Sequence, residues 1–258
     1  MIILKKALMT LALAGVALGS QAATVQVVFD NPIFNGSGSD PVHIQFPSGG
    51  GSTTDYVAAG RFQGTASNIA GATPGIFVDN TNDLLMYCYD VYESINSGWV
   101  VNYQLNFGGA IARTLDFLGA VNTVLSAGGS YDPYAWLHPV NRNQGAAIQV
   151  GIWESLYDTD WNITTGSFTA WSLETTTNNY LTSFLQAVPG SASLDQGYTM
   201  VLEAPNAQDM ITGRRPQPEP ATQVPEPDSL ALLGLALVGL AASRRLRLRL
   251  RLRLRKAA

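Results

Sequence analysis

Val25, Val27 and Phe29 alternate with polar or smaller neighbours, and so do Val42, Ile44 and Phe46. A period of two predicts half-buried β-strands at both places. Glycine- and serine-rich stretches, GSGSD at 36–40 and SGGGST at 48–53, separate such segments and read as loops. Neither has a P-loop Lys-Ser/Thr, so neither is a nucleotide cradle. Further strands are expected at Tyr56–Gln63, Ile76–Asp79, Leu84–Tyr92 and Trp99–Leu105.

The period then lengthens. Ile111, Leu115, Leu118 and Leu125 recur at helical spacing between Gly108-Gly109 and Gly128-Gly129. Residues 143–158 predict a second helix, with Gln149, Trp153 and Leu156 on one face. A third helix is expected to be capped by Ser172 and to carry Leu173, Tyr180, Leu181, Phe184, Leu185 and Val188. Tyr198–Glu203 returns to strand. The fold class is therefore α+β: a β-sandwich or barrel-like unit, a helical insertion at about 109–188, and a closing strand.

The ends follow different patterns. Lys5 and Lys6 precede an apolar run, Ala7 to Gly19, and Ser20-Gln21-Ala22 supplies small residues for cleavage after Ala22. Residues 1–22 therefore read as a secretory signal peptide, the alternative being a retained N-terminal anchor. At the other end, a Pro-rich linker (214–224) leads into Val224-Pro225-Glu226-Pro227, then an apolar run, 229–243, then the basic cluster Arg244 to Lys256. Fifteen apolar residues fall short of the ~20 that span a bilayer, but snorkelling arginines and the leucines among them extend the run. The cations place the C-terminus in the cytoplasm. The globular body is left as 23–213.

Charge sharpens this division. Ten of the 15 Lys/Arg lie in the two ends, and Ala23 to Val224 holds five arginines against 17 Asp/Glu, a balance of −12. Such a body repels phosphate backbones, so nucleic acid is not an expected partner. The single cysteine excludes an intrachain disulfide framework and any multi-cysteine metal site. A body of about 190 residues is nonetheless long enough to bury a core without such staples.

The three-part tail at 225–258 resembles the PEP-CTERM sorting signal of Gram-negative bacteria in its VPEP, its short apolar helix and its terminal arginines. The resemblance implies an exosortase-type enzyme that cuts near Pro-Glu-Pro, a membrane-anchored precursor, and a mature form at the cell surface or in the extracellular matrix. A plain, unprocessed single-pass anchor is the alternative. A second triplet, Pro218-Glu219-Pro220, lacks an adjacent apolar run and reads as linker.

A lone cysteine in an exported chain needs a role, because it is otherwise open to oxidation. Cys88 lies in Met86-Tyr87-Cys88-Tyr89-Asp90, on a strand whose alternation puts Leu84, Met86, Cys88 and Asp90 on one face. Tyr87-Cys88 and Gln149-Val150-Gly151-Ile152-Trp153, with Cys88 and Gln149 61 positions apart, together resemble the thioester domains of bacterial surface adhesins. The resemblance implies that Cys88 supplies the thiol and Gln149 the acyl group of an internal thioester, and that the partner is a surface molecule bearing a primary amine. Gly151 stands where that family often has alanine. An activated acyl group needs shelter from water, for which Tyr87, Tyr89 and Trp153 are candidates. Asp90 and Glu93 either position the incoming amine or accept its proton, or only solvate the strand end. The alternative is a non-covalent envelope or matrix protein in which Cys88 is a small buried hydrophobe.

Other constellations are thinner. His43 and His138 are the only histidines, and His138 with Cys88 is the one conceivable hydrolytic dyad; we expect no enzyme. Asp158, Asp160 and Asn162 offer oxygens but lack the glycine and closing glutamate of a calcium loop. They read as a polar turn, with no metal or cofactor expected.

Overall fold

The computed structural model describes residues 22–216. The signal peptide up to residue 21, the VPEP motif and the helix expected at 229–243 lie outside the described residues.

The N-terminal half is built of strands: β1 (Thr24–Phe29), β2 (Ser39–Ser48), β3 (Gly51–Gly60), β4 (Phe62–Ala70), β5 (Leu84–Cys88) and β6 (Val100–Asn106). Three helices follow, α1 (Ala112–Leu125), α2 (Arg142–Tyr157) and α3 (Thr175–Ala187), with a short strand β7 (Thr169–Trp171) before α3. The chain closes with β8 (Thr199–Glu203) and β9 (Met210–Gly213). Six strands form a closed antiparallel barrel in the order β1-β4-β5-β9-β8-β6, and β3-β2-β7 form a second sheet. The fold is mixed α+β, with the helices gathered at 112–187. Among the described residues no helix is long and apolar enough to cross a membrane.

Closure leaves the barrel without a free edge and packs alternate side chains inward. Val25, Val27 and Phe29 of β1 are buried, and the Phe29 ring meets Phe62 and Tyr103 edge-on. β5 is buried at all five positions, as befits a strand covered on both faces. α2 is buried continuously from Gln144 to Ser155, so it is a central helix and not an amphipathic surface one. Its start is fixed by Asn141, whose side chain accepts the Gln144 N–H, while Gln144 Oε1 accepts the Val140 N–H at 2.8 Å. This reciprocal capping satisfies one N–H that the helix itself leaves orphaned, at Gln144, and one in the chain just before it, at Val140.

Several expectations are corrected. Residues 76–79 form no strand: Pro74-Gly75-Ile76 make one 3-10 turn, and Phe77 forms an isolated bridge to Arg214. The single strand expected at 56–63 is two, because the chain leaves the second sheet at Gly60 and enters the barrel at Phe62. SGGGST is the tip of the β2–β3 hairpin, and Gly51 to Thr53 already belong to β3. Ser172 does not cap α3, since it lies in left-handed backbone (φ 62) and the helix begins at Thr175. The N–H of Glu174 is instead accepted by the buried Asp40 of β2 at 3.0 Å.

Candidate functional site

Cys88 is the last residue of β5, and the register around it explains its surroundings. Phe62 pairs with Met86 and Gly64 with Leu84, which would set residue 60 opposite Cys88. Gly60, however, pairs with Ser39 in the second sheet. On the other edge of β5, Tyr89 N–H donates to Asp209 O at 2.7 Å. The N–H and C=O of Cys88 therefore face the place that β4 vacates. Gln149 fills it. Its Oε1 accepts the Cys88 N–H at 2.8 Å and its Nε2 donates to Cys88 O at 2.9 Å.

Gln149 is wholly buried and Cys88 is 2% exposed. A buried carboxamide without partners is costly, but this one has both its groups paired to one residue. It acts as a surrogate strand of one amide, continuing the ladder from a helix. The carboxamide is thereby held against the main chain of the lone cysteine, across 61 positions of sequence.

Burial, together with the nearby Asp90 charge, pushes the Cys88 thiol well above its usual pKa, although a main-chain hydrogen bond opposes the shift. The thiol therefore stays protonated at neutral pH, the opposite of an activated nucleophile. A cavity of about 340 Å³ opens beside it, lined by Phe34, Phe62, Trp153, Gln208, Asp55 and Glu93 among others.

Trp153, one turn after Gln149, donates its indole N–H to Asp90 O at 3.2 Å, and Gln208 Nε2 donates to the same oxygen at 3.0 Å. The Asp90 carboxylate organises the chain after the cysteine. Its Oδ1 accepts the N–H groups of Tyr92 and Glu93, and its Oδ2 accepts that of Asp209. Burial outweighs these bonds and raises its pKa to about 6.

Tyr87 and Tyr89 turn to the helical side. The Tyr87 hydroxyl donates to Trp136 O at 3.2 Å; that of Tyr89 bonds Thr114 Oγ1 at 3.3 Å and accepts the Ile111 N–H at 2.8 Å. Neither lines the cavity, whose aromatic walls are Phe34, Phe62 and Trp153. Gln208 carried no signal in the sequence, because it comes from the loop between β8 and β9 and reaches the site only through barrel closure.

His138 lies apart from the cysteine. Its ring nitrogens bond Tyr134 O and Asp79 Oδ1, both at 3.1 Å, on the surface. The second candidate cluster, after α2, has Asp158 Oδ1 and Oδ2 accepting the N–H groups of Thr159 and Phe168, and Asp160 Oδ1 accepting that of Asn162.

One comparison bears on the tail. Residues 223–245 match the PEP-CTERM protein-sorting motif. The chain carries a PEP-CTERM sorting signal. The motif implies export, a membrane-anchored precursor and processing by an exosortase. Neither the curated proteins nor the solved structures give a match to the chain.

Proposed function

We propose that this PEP-CTERM protein is a surface or matrix component that captures amine-bearing partners covalently through a Cys88–Gln149 thioester. The observation that carries the reading is the two-point clamp of the Gln149 carboxamide on the Cys88 main chain. A carboxamide so held has lost the freedom that an intramolecular acyl transfer must otherwise overcome. In the first step the Cys88 sulfur attacks the Gln149 side-chain carbonyl carbon; a C–S bond forms, the C–N bond breaks, and ammonia leaves with the thiol proton. In the second, a primary amine attacks the same carbon. The C–N bond forms, the C–S bond breaks, and the amine proton returns to sulfur. No cofactor is consumed and no turnover follows.

The environment suits a stored acyl group. Gln149 itself is wholly buried, and a thiol whose pKa is raised by burial is a slow leaving group. Asp55 and Glu93 in the cavity lining attract a protonated amine.

The same clamp also favours a second reading, in which Gln149 is a structural splice between α2 and β5, Cys88 is core packing, and the protein is a non-covalent envelope or matrix component. Mass spectrometry of the freshly purified chain separates the two. The thioester requires a mass one ammonia below the sequence mass, stoichiometric methylamine addition at Gln149, and a thiol that then becomes alkylatable. Cys88→Ala and Gln149→Glu must both lose the methylamine adduct, and Gln149→Glu must leave a free thiol. Full sequence mass with Cys88 alkylating completely on denaturation would leave only the splice.

A further inference from the structure

The end of α2 gathers carboxylates that neither reading of Cys88 uses. Glu154 on the last turn, Asp158 at the C-cap and Asp160 in the following loop each place one carboxylate oxygen within 4.8 Å of the others. Glu154 is wholly buried; its Oε1 accepts the Asn162 N–H at 3.0 Å, and its Oε2 is buried with no hydrogen-bond partner. A buried carboxyl oxygen without a partner carries a desolvation cost that nothing in the fold offsets.

The guanidinium of Arg113 does not resolve it. Arg113 donates to the carbonyls of Thr159 and Asp160 at 3.2 and 2.7 Å and stacks over Trp161. The loop is moulded around the cluster: a Cβ at Gly166 (φ +94) would lie 2.0 Å from Asp158 Oδ2. Only glycine lets the chain wrap this carboxylate so closely.

We propose that Glu154, Asp158 and Asp160 bind one hard divalent cation, calcium in preference to magnesium, which joins the end of α2 to the loop at 158–168. The donors are all oxygens, which excludes a soft-metal preference. Calcium accepts irregular sets of carboxylates and carbonyls, whereas magnesium demands a near-ideal octahedron and retains its waters. Asp158, Asp160 and Asn162 stand at the alternate positions that open a calcium loop. Glu154, one helical turn upstream, supplies the buried carboxylate that the sequence after Asn162 lacks. None of the three carboxylates lines the cavity beside Cys88.

The test uses the full chain, purified in detergent, stripped with chelator and dialysed into metal-free buffer. Calorimetric titration with calcium chloride should give one ion per chain with a Kd on the order of 10⁻⁴–10⁻³ M, the range of extracellular modules. Terbium emission excited through tryptophan, with Trp161 in the loop as donor, should rise on binding and be displaced by calcium. Saturating calcium should raise the thermal midpoint by a few degrees. Glu154→Gln should abolish binding and the calcium-dependent shift, while melting no lower than the wild type in chelator. Asp160→Asn, a change at an exposed side chain, should weaken binding at least tenfold without altering the far-ultraviolet spectrum. A wild-type chain that binds no calcium at several millimolar overturns the site. So does calcium binding that survives both substitutions.

Discussion

Phe117 of α1 lies directly on the backbone of α2 at Gly151, where an added Cβ would meet the ring's Cζ at 2.0 Å. Gly151 is thus matched to a large neighbour, and its absent methyl sets the α1–α2 approach. Gly151→Ala gains roughly 1 kcal/mol in helix propensity but forces the ring aside. The expected net result is a loss of ~1–3 kcal/mol by urea denaturation, partly restored by Phe117→Leu. A neutral or stabilising effect would mean that the ring yields freely. Asp90 offers a test by pH. Its pKa is about 6 in the folded state against an ordinary 3.8, so between those values the native state holds more of its proton than the unfolded chain. Linkage then requires its contribution to stability to fall as pH rises from about 4 to about 6, and to stay level above. Asp90→Asn removes this term, so the difference between wild-type and variant unfolding free energies should slope across that window, by on the order of 2–3 kcal/mol. The lost acceptor adds only a constant offset. A flat difference curve from pH 4 to 7 would place Asp90 at its ordinary pKa.

At the scale of elements, the splice between α2 and β5 makes a further prediction. Gln149→Leu preserves bulk but leaves the buried N–H and C=O of Cys88 unpaired, at ~1–3 kcal/mol for each group. Cys88→Ala removes one sulfur and leaves the clamp intact. Unfolding titrations should therefore rank Gln149→Leu well below Cys88→Ala in stability, and equal losses would show that the clamp contributes little. The elements that bear this site were legible in the sequence to unequal degrees. α2 was evident from its long apolar pattern, whereas the strand expected at 84–92 ends as β5 at Cys88, where the Asp90 carboxylate turns the chain; Cys88 and Gln149 stood out by the motifs they sit in. β4 beyond Gln63 was not, because its inward positions include Gly64 and Ala66, too small to mark a period of two. β7 and β9 are three and four residues long, below the length at which alternation means anything. The clamp itself had no sequence signature. It depends on β4 starting only at Phe62, because Gly60 still belongs to β3 and pairs with β2, a decision made elsewhere in the chain. The ladder position that Gln149 completes follows only from the register.

For the whole molecule, legibility divides by reader. The body is read by its own packing, and a barrel whose strands come from residues 24 to 213 is encoded in non-local pairings that no short motif records. The tail is read by other proteins as linear sequence, so its order of parts suffices to identify it. Charge follows the same division, with eight cations between Arg244 and Lys256 and an acidic body before them. The motif implies that this tail holds the precursor in the membrane until an exosortase processes it. The expectation is that the mature protein lacks everything from about Glu226 onward. Terminal peptide mapping of envelope and medium fractions from a native host should recover peptides of the body up to the linker and none from the Arg-Leu run. In a strain without the exosortase the run should reappear, on a membrane-bound chain of full precursor length. If the Arg-Leu peptides are abundant in the surface fraction of the unaltered host, the tail is a permanent anchor, and capture by the body would then act at the membrane and not beyond it.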